Sequence, residues 1–381
     1  MERFHELLEN HHQYARDWKA RTGGKVIGYL CPYLPEELPY AAGVLPVRLL
    51  AKHEPDDLSE RYLPSGTCPP ARNIFLQLMK GRYDYLDGVG CGEGCQWLRH
   101  TFTSWEFHGN TSYHRHVFVP VYPQGHRAKT LLRGELELFK DSLEVWTGKK
   151  ITNEALDHAI DVYNTNRRLM KQVYEMRRAE NPPISGAEAM EMMLASQVMD
   201  KEEHNRLLAE VLSNFPEWRD GGSTRVRLML IGSETYDAEL EKLTESLGGD
   251  DVTDELCNGS SYFWNEVVPQ KDRLMAIALR YLDKHHCAIK DNRYRRRQTR
   301  ILQLAEDYNV QGAILLLQRY CVPHSYDTPF VQDALRERGI PFHAMELLDT
   351  TMPTAETKIR LEAFMDMLRS RPAAELVTPT A

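Results

Sequence analysis

Short apolar runs and helical stripes alternate over the first third of the chain. The runs Lys25–Leu30, Val44–Leu50, Leu86–Val89 and Val117–Tyr122 are continuous enough to be strands buried on both faces. Between them, residues 69–80 set Ile74, Phe75, Leu78 and Met79 on one helical face, with Pro69 and Pro70 in the opening turn. Such alternation predicts a parallel sheet covered by helices. Residues 1–20 differ, with a thin stripe of Phe4, Leu7, Leu8 and Tyr14 on a polar helix. That pattern predicts a packing arm.

From Leu131 to about Phe215 the spacing becomes helical, with Ile151, Leu156, Ile160, Tyr163 and Leu169 in step and Asn181-Pro182-Pro183 as a break. After the Gly221-Gly222 turn, Arg225–Gly232 reads as a strand, followed by Asp251–Leu256, Gly312–Gln318 and Pro341–Leu347. Thr354–Leu368 is an amphipathic helix, and Pro372 onward is small and polar. The expected organisation is an N-terminal helical arm (1–20), a first α/β domain (21–130), a helical segment (131–220) and a second α/β domain (221–381). The fold class is α/β, with two Rossmann-like, flavodoxin-like parallel-sheet domains and a helical linker.

Composition narrows the function. A net charge of −8 over 381 residues argues against nucleic acid as the main partner, because phosphate binding wants a cationic face. No stretch reaches the roughly 18 apolar residues of a membrane span, and the opening Met1-Glu2-Arg3-Phe4 is not a signal peptide. A cytoplasmic protein is expected. Seven cysteines without an export signal do not suggest a disulfide framework.

The cysteines sit in chemical contexts. Asp87–Cys95 (DGVGCGEGC) leaves a strand with two thiols among glycines, Cys68 precedes a helical pattern, and Cys321 ends the apolar run Gly312–Gln318. In open parallel sheets ligands bind beyond the carboxyl ends of strands, where helix N-termini point. Cys68, Cys95 and Cys321 can all face one such crevice. Three thiolates from separate loops suit an iron-sulfur cluster; zinc suits them less, as there is no C-x2-C pair. The alternative is that they are buried as small hydrophobes.

Several segments together resemble the 2-hydroxyacyl-CoA dehydratase and benzoyl-CoA reductase family. They are Ile27–Leu38 (IGYLCPYLPEEL), Ala41–Arg48 (AAGVLPVR), Asp87-Gly88-Val89 with Cys95, Ile231–Glu234 (IGSE), Asp254–Ser260 (DELCNGS) and Cys321–Asp327 (CVPHSYD), in that order. The resemblance implies an iron-sulfur subunit with a [4Fe-4S] cluster on Cys68, Cys95 and Cys321. It also implies a homologous second subunit, a separate ATP-hydrolysing iron-sulfur activator and an acyl-CoA substrate. The expected activity is dearomatising benzoyl-CoA reduction; the alternatives are 2-hydroxyacyl-CoA dehydration and a non-catalytic electron relay. Gln96, where the family has Asp, and the extra Cys91 depart from the pattern.

No G-x-x-x-x-G-K loop is present, so ATP would be bound by the activator. His324 and Tyr326, just past Cys321, and Glu37, near Cys31, are the candidate catalytic acids. Glu36 and Glu37 also fit a helix first turn. Cys31 and Cys257 read as packed thiols, and Cys287 in Lys284-His285-His286-Cys287 reads as a surface thiol. Arg293–Arg297 reads as a solvated helix face, with a grip on CoA phosphates as its alternative.

Overall fold

The computed structural model describes residues 1–52, 54–55, 58–214, 225–284, 287–290, 296–347 and 354–371. The Gly221-Gly222 turn, His285, His286, Arg293–Arg295 and the tail from Pro372 lie outside the described residues.

Eight strands form two parallel sheets. β1 (Lys25–Tyr29), β2 (Val44–Arg48), β3 (Gly88–Gly92) and β4 (Tyr113–Val117) take the order β2-β1-β3-β4. β5 (Val226–Gly232), β6 (Gly249–Leu256), β7 (Gly312–Gln318) and β8 (Phe342–Leu347) repeat it as β6-β5-β7-β8. The expected two Rossmann-like sheets are therefore present. In each the chain reverses direction across the sheet between its first and third strands, which opens a crevice at their carboxyl ends. Central β7 (GAILLLQ) is buried almost throughout, whereas β2 tolerates Pro46 because it lies at an edge.

Two strands are displaced from the sequence reading. The fourth is Tyr113–Val117 rather than Val117–Tyr122: an edge strand needs little apolar content, and Tyr-His-Arg-His-Val is half-buried in its middle. The third runs to Gly92, so Cys91 is in the strand rather than in a loop beyond it. Its glycines have a packing role. A Cβ on Gly92 would stand 2.2 Å from the Tyr33 carbonyl carbon, so the 31–34 turn lies directly on β3.

Between the sheets come the helices Ala128–Thr147, Asn153–Met176, Gly186–Val198 and Lys201–Ser213. Gly186–Val198 is buried along its whole length and packs against both β2 and β6. Ser185 and Glu188 close a capping box at its start. The helix Arg273–Asp283, although it follows β6, packs on Ala128–Thr147 and contributes Leu274, Ile277 and Tyr281 to the core of the first sheet. The chain just beyond it is thereby carried to the strand ends of the first sheet. Among the described residues no helix is long and apolar enough to cross a membrane.

Candidate functional site

The carboxyl ends of both sheets meet at one cavity with about 720 Å³ of atom-free space, part of it continuous with solvent. Cys68, Cys95 and Cys321 all line it. Each stands at a helix N-cap: Cys68 before Pro69–Met79, Cys95 after β3 and before Gln96–His108, Cys321 after β7 and before Val322–Glu337. Prolines in the first turn start the first and third of these helices. Helix N-termini favour negative charge, so this is a good position for thiolates.

Burial pushes the Cys68 and Cys95 thiols well up and Cys321 up to about 11, while the Ala71, Leu98 and His324 backbone N–H groups work against that rise. The free thiols are thus neutral, and a metal would deprotonate them. Trp97 Nε1 donates to the Tyr320 carbonyl at 3.0 Å, tying the Cys95 loop to the Cys321 loop across the two sheets. Ser233 Oγ accepts from the Gln318 backbone N–H at 3.2 Å and ties β5 to β7.

The sequence reading missed much of the wall. Arg48, Glu234, Lys284 and Gln318 line the cavity, and so do Cys31, Cys257 and Cys287. Cys31 and Cys257 were expected to be packed thiols and Cys287 a surface thiol on a helix. Instead the helix stops at Asp283 and Cys287 faces the cavity. Cys91 is different: it is 1% exposed inside the first core and is absent from the wall. Arg48 is 2% exposed and pairs with Glu234 through Nη2, but its Nε and Nη1 have no protein partner. A sequence signal was available here, since an arginine closing an apolar strand has a buried charge to place.

Of the candidate acids, His324 lines the cavity with Nε2 3.2 Å from Cys257 Sγ. Burial, and then Arg297, hold its pKa far below the ordinary histidine range, so the ring is neutral. Tyr326 is 67% exposed on the helix behind Cys321 and does not line the cavity. Glu37 is also outside it. Its carboxylate is fully buried, 2.5 Å from Arg167 Nη2 and 3.0 Å from the Tyr281 hydroxyl, which donates to it. Burial alone would raise its pKa, but the Arg167 and Arg280 guanidiniums hold it below the usual carboxylate range. Of the two described residues of the basic run, Arg296 is exposed, as expected of a solvated face, whereas Arg297 is buried on Asp327 at 2.6 Å.

Among the described residues no three His, Cys, Asp or Glu side chains converge on a single metal ion. Three thiols from separate loops around one cavity are a donor set that would suit a polynuclear cluster, in which each thiolate would hold a different iron. The unpartnered Arg48 N–H groups and the buried Lys284 suit the negative charge of such a group.

The family model described as 2-hydroxyglutaryl-CoA dehydratase, D-component, matches residues 31–368. The (R)-phenyllactyl-CoA dehydratase beta subunit of Clostridium sporogenes is 25% identical over 96% of this chain and 97% of that protein. A benzoyl-CoA reductase subunit of Thauera aromatica is 26% identical over 93% of this chain and 94% of that protein. The (R)-2-hydroxyglutaryl-CoA dehydratase beta subunit of Acidaminococcus fermentans is 24% identical over 97% and 98%. Among solved structures, ZnuA aligns over 91% of this chain and 98% of its own at 10% identity and a TM-score of 0.21, too distant to bear on the site.

Proposed function

The chain belongs to the 2-hydroxyglutaryl-CoA dehydratase D-component family, and from that premise we propose that it is the iron-sulfur subunit of an ATP-activated benzoyl-CoA reductase. The supporting observation is the cavity at the carboxyl ends of both sheets, where Cys68, Cys95 and Cys321 face one another from three helix N-caps. Dehydration of a 2-hydroxyacyl-CoA is the second reading, supported by relatives named as dehydratase subunits.

When bound, a [4Fe-4S] cluster supplies single electrons at low potential, which either reaction on a thioester requires. The chain's own residues do the holding. The three cysteines provide thiolates, Arg48 and Lys284 face the added negative charge, and Glu234 fixes Arg48 in the wall. Arg48 and Lys284 are buried in the wall, which lets their charges act strongly on whatever occupies the cavity. The relatives are named as subunits, and a homologous second subunit is part of the proposal. So is an ATP-hydrolysing iron-sulfur activator, because this chain has no phosphate-cradling loop.

The test is anaerobic assay of the chain with its second subunit, activator, ATP and a strong reductant, offering benzoyl-CoA and a 2-hydroxyacyl-CoA separately. Benzoyl-CoA should be consumed to a diene thioester only while ATP is hydrolysed. Formation of an enoyl-CoA from the hydroxyacyl-CoA alone would select the second reading. Conversion of neither, or full-rate conversion without ATP, would contradict the proposal.

A further inference from the structure

A second cavity lies apart from the thiols, with about 810 Å³ of atom-free space, part of it continuous with solvent. Its walls are the N-terminal helical arm, the chain just after β2, the buried helix Gly186–Val198 and the start of the helix Glu239–Ser246. No cysteine lines it.

One residue in this wall is out of place for packing. Past its capping box, the helix Gly186–Val198 has a single charged side chain, Glu191, which lines the cavity and is only 8% exposed. A carboxylate so buried is costly unless it is answered. His5 Nδ1 at 3.1 Å and Lys242 Nζ at 3.2 Å both approach Oε1, so the described residues leave Oε2 without a partner. Lys242 is also divided, since Glu239 lies 3.2 Å from the same Nζ. His11, 5% exposed in the same wall, is a second open acceptor. Its Nδ1 donates to the Leu8 carbonyl at 2.7 Å, which makes Nε2 the lone-pair nitrogen of the neutral ring, and Nε2 has no partner.

The charges around these acceptors do not balance. Glu9, Glu191, Asp237 and Glu239 share the wall with Lys52 and Lys242, so it is net negative even when His5 is protonated. Open acceptors in a negative wall select a cation that carries N–H donors. Leu8, Leu50 and Ala51 give an aliphatic body a surface to lie on. Among the described residues no three His, Cys, Asp or Glu side chains converge on a metal ion, which favours an organic cation over a bare one.

We propose that this cavity binds a small aliphatic ammonium compound, whose N–H groups donate to Glu191 Oε2 and His11 Nε2 while its alkyl body packs on Leu8 and Leu50. The inference is independent of what fills the thiol-lined cavity.

The test is isothermal titration calorimetry of the full-length chain with 1,4-diaminobutane, and with 1,4-butanediol as a neutral compound of the same length. The diamine should bind at one site per chain, and the diol at least about tenfold more weakly. Glu191→Gln should weaken diamine binding by about tenfold or more. Lys242→Ala, at a side chain 41% exposed, removes the cation that competes for Glu191 and should tighten diamine binding severalfold, which keeps the test decisive if the Glu191 variant does not fold. No diamine binding, equal binding of the diol, a folded Glu191→Gln that binds as wild type does, or a Lys242→Ala without tightening would each overturn the site.

Discussion

Two of the regions in which this molecule buries polar chemistry do so in opposite ways. In the first, Glu36 and Glu37 meet Arg167, Lys201, Tyr262 and Tyr281, and the poles answer one another. Arg167 and the Tyr281 hydroxyl hold Glu37, the Tyr262 hydroxyl donates to Glu36 at 2.7 Å, and Lys201 donates to Tyr262 at 2.9 Å. In the second, the thiol-lined cavity, Arg48 has two unpartnered nitrogens, and among the described residues only Cys257 of the six thiols has a side-chain neighbour at hydrogen-bond distance. We read the first region, whose polar groups complete one another, as a strut, and the second, which leaves donors unanswered, as a candidate site.

The largest effect expected from this contrast is in the strut. Arg167→Met strands the Glu37 carboxylate in the interior and should cost about 3–5 kcal/mol, read by denaturant unfolding of the metal-free protein. Whatever folds should bind iron as wild type does, and loss of iron with unchanged stability would erase the distinction. Next is Gly92→Ala, where the new Cβ meets the Tyr33 backbone. It should lower stability by roughly 1–3 kcal/mol and also reduce iron, because β3 leads into the Cys95 loop and its displaced neighbour leads from Cys31.

Substitutions in the site itself should show the reverse balance. Cys68→Ser, Cys95→Ser or Cys321→Ser should change the unfolding free energy of metal-free protein by no more than about 1 kcal/mol while removing at least half the iron. The smallest effect is on pH dependence. His204, beside the strut, has Nε2 at 2.9 Å from the Met192 carbonyl and Nδ1 at 2.7 Å from the Asn166 amide, a pattern that satisfies the neutral ring. Burial, and then Lys201, lower its pKa from 6.5 to about 3. Its stabilising contribution is complete above 6.5 and is lost as pH falls from there toward 3, by up to about 1.4 kcal/mol per pH unit. His11 and His12, lowered chiefly by burial to about 4 and about 2, act with the same sign. His204→Gln should flatten the acid limb of a stability profile without moving the iron count.

Much of this architecture is legible in the amino-acid order alone. The apolar runs mark both sheets, because strands buried on two faces cannot conceal their composition. Cys95 and Cys321 can be placed after strands, and Cys68 before a helix, from local order. The misplaced β4 shows the limit: its Tyr-His-Arg-His-Val lies at a sheet edge and needs no apolar run. Cys287 shows another. Its approach to Cys31 depends on a helix from beyond β6 packing on the first core, a long-range contact without local signature. Glu37 illustrates the converse, a carboxylate near a cysteine in sequence whose side chain turns to Arg167 instead.

The most direct test of the central claim is iron and acid-labile sulfide per chain in anaerobically reconstituted wild type and in Cys68→Ser/Cys95→Ser/Cys321→Ser, with circular dichroism to show that both are folded. The account predicts a brown wild-type protein with iron and sulfide in near-equal amounts, and a native-like variant that has lost at least half of each. A folded triple variant that retains the wild-type iron and sulfide would contradict it.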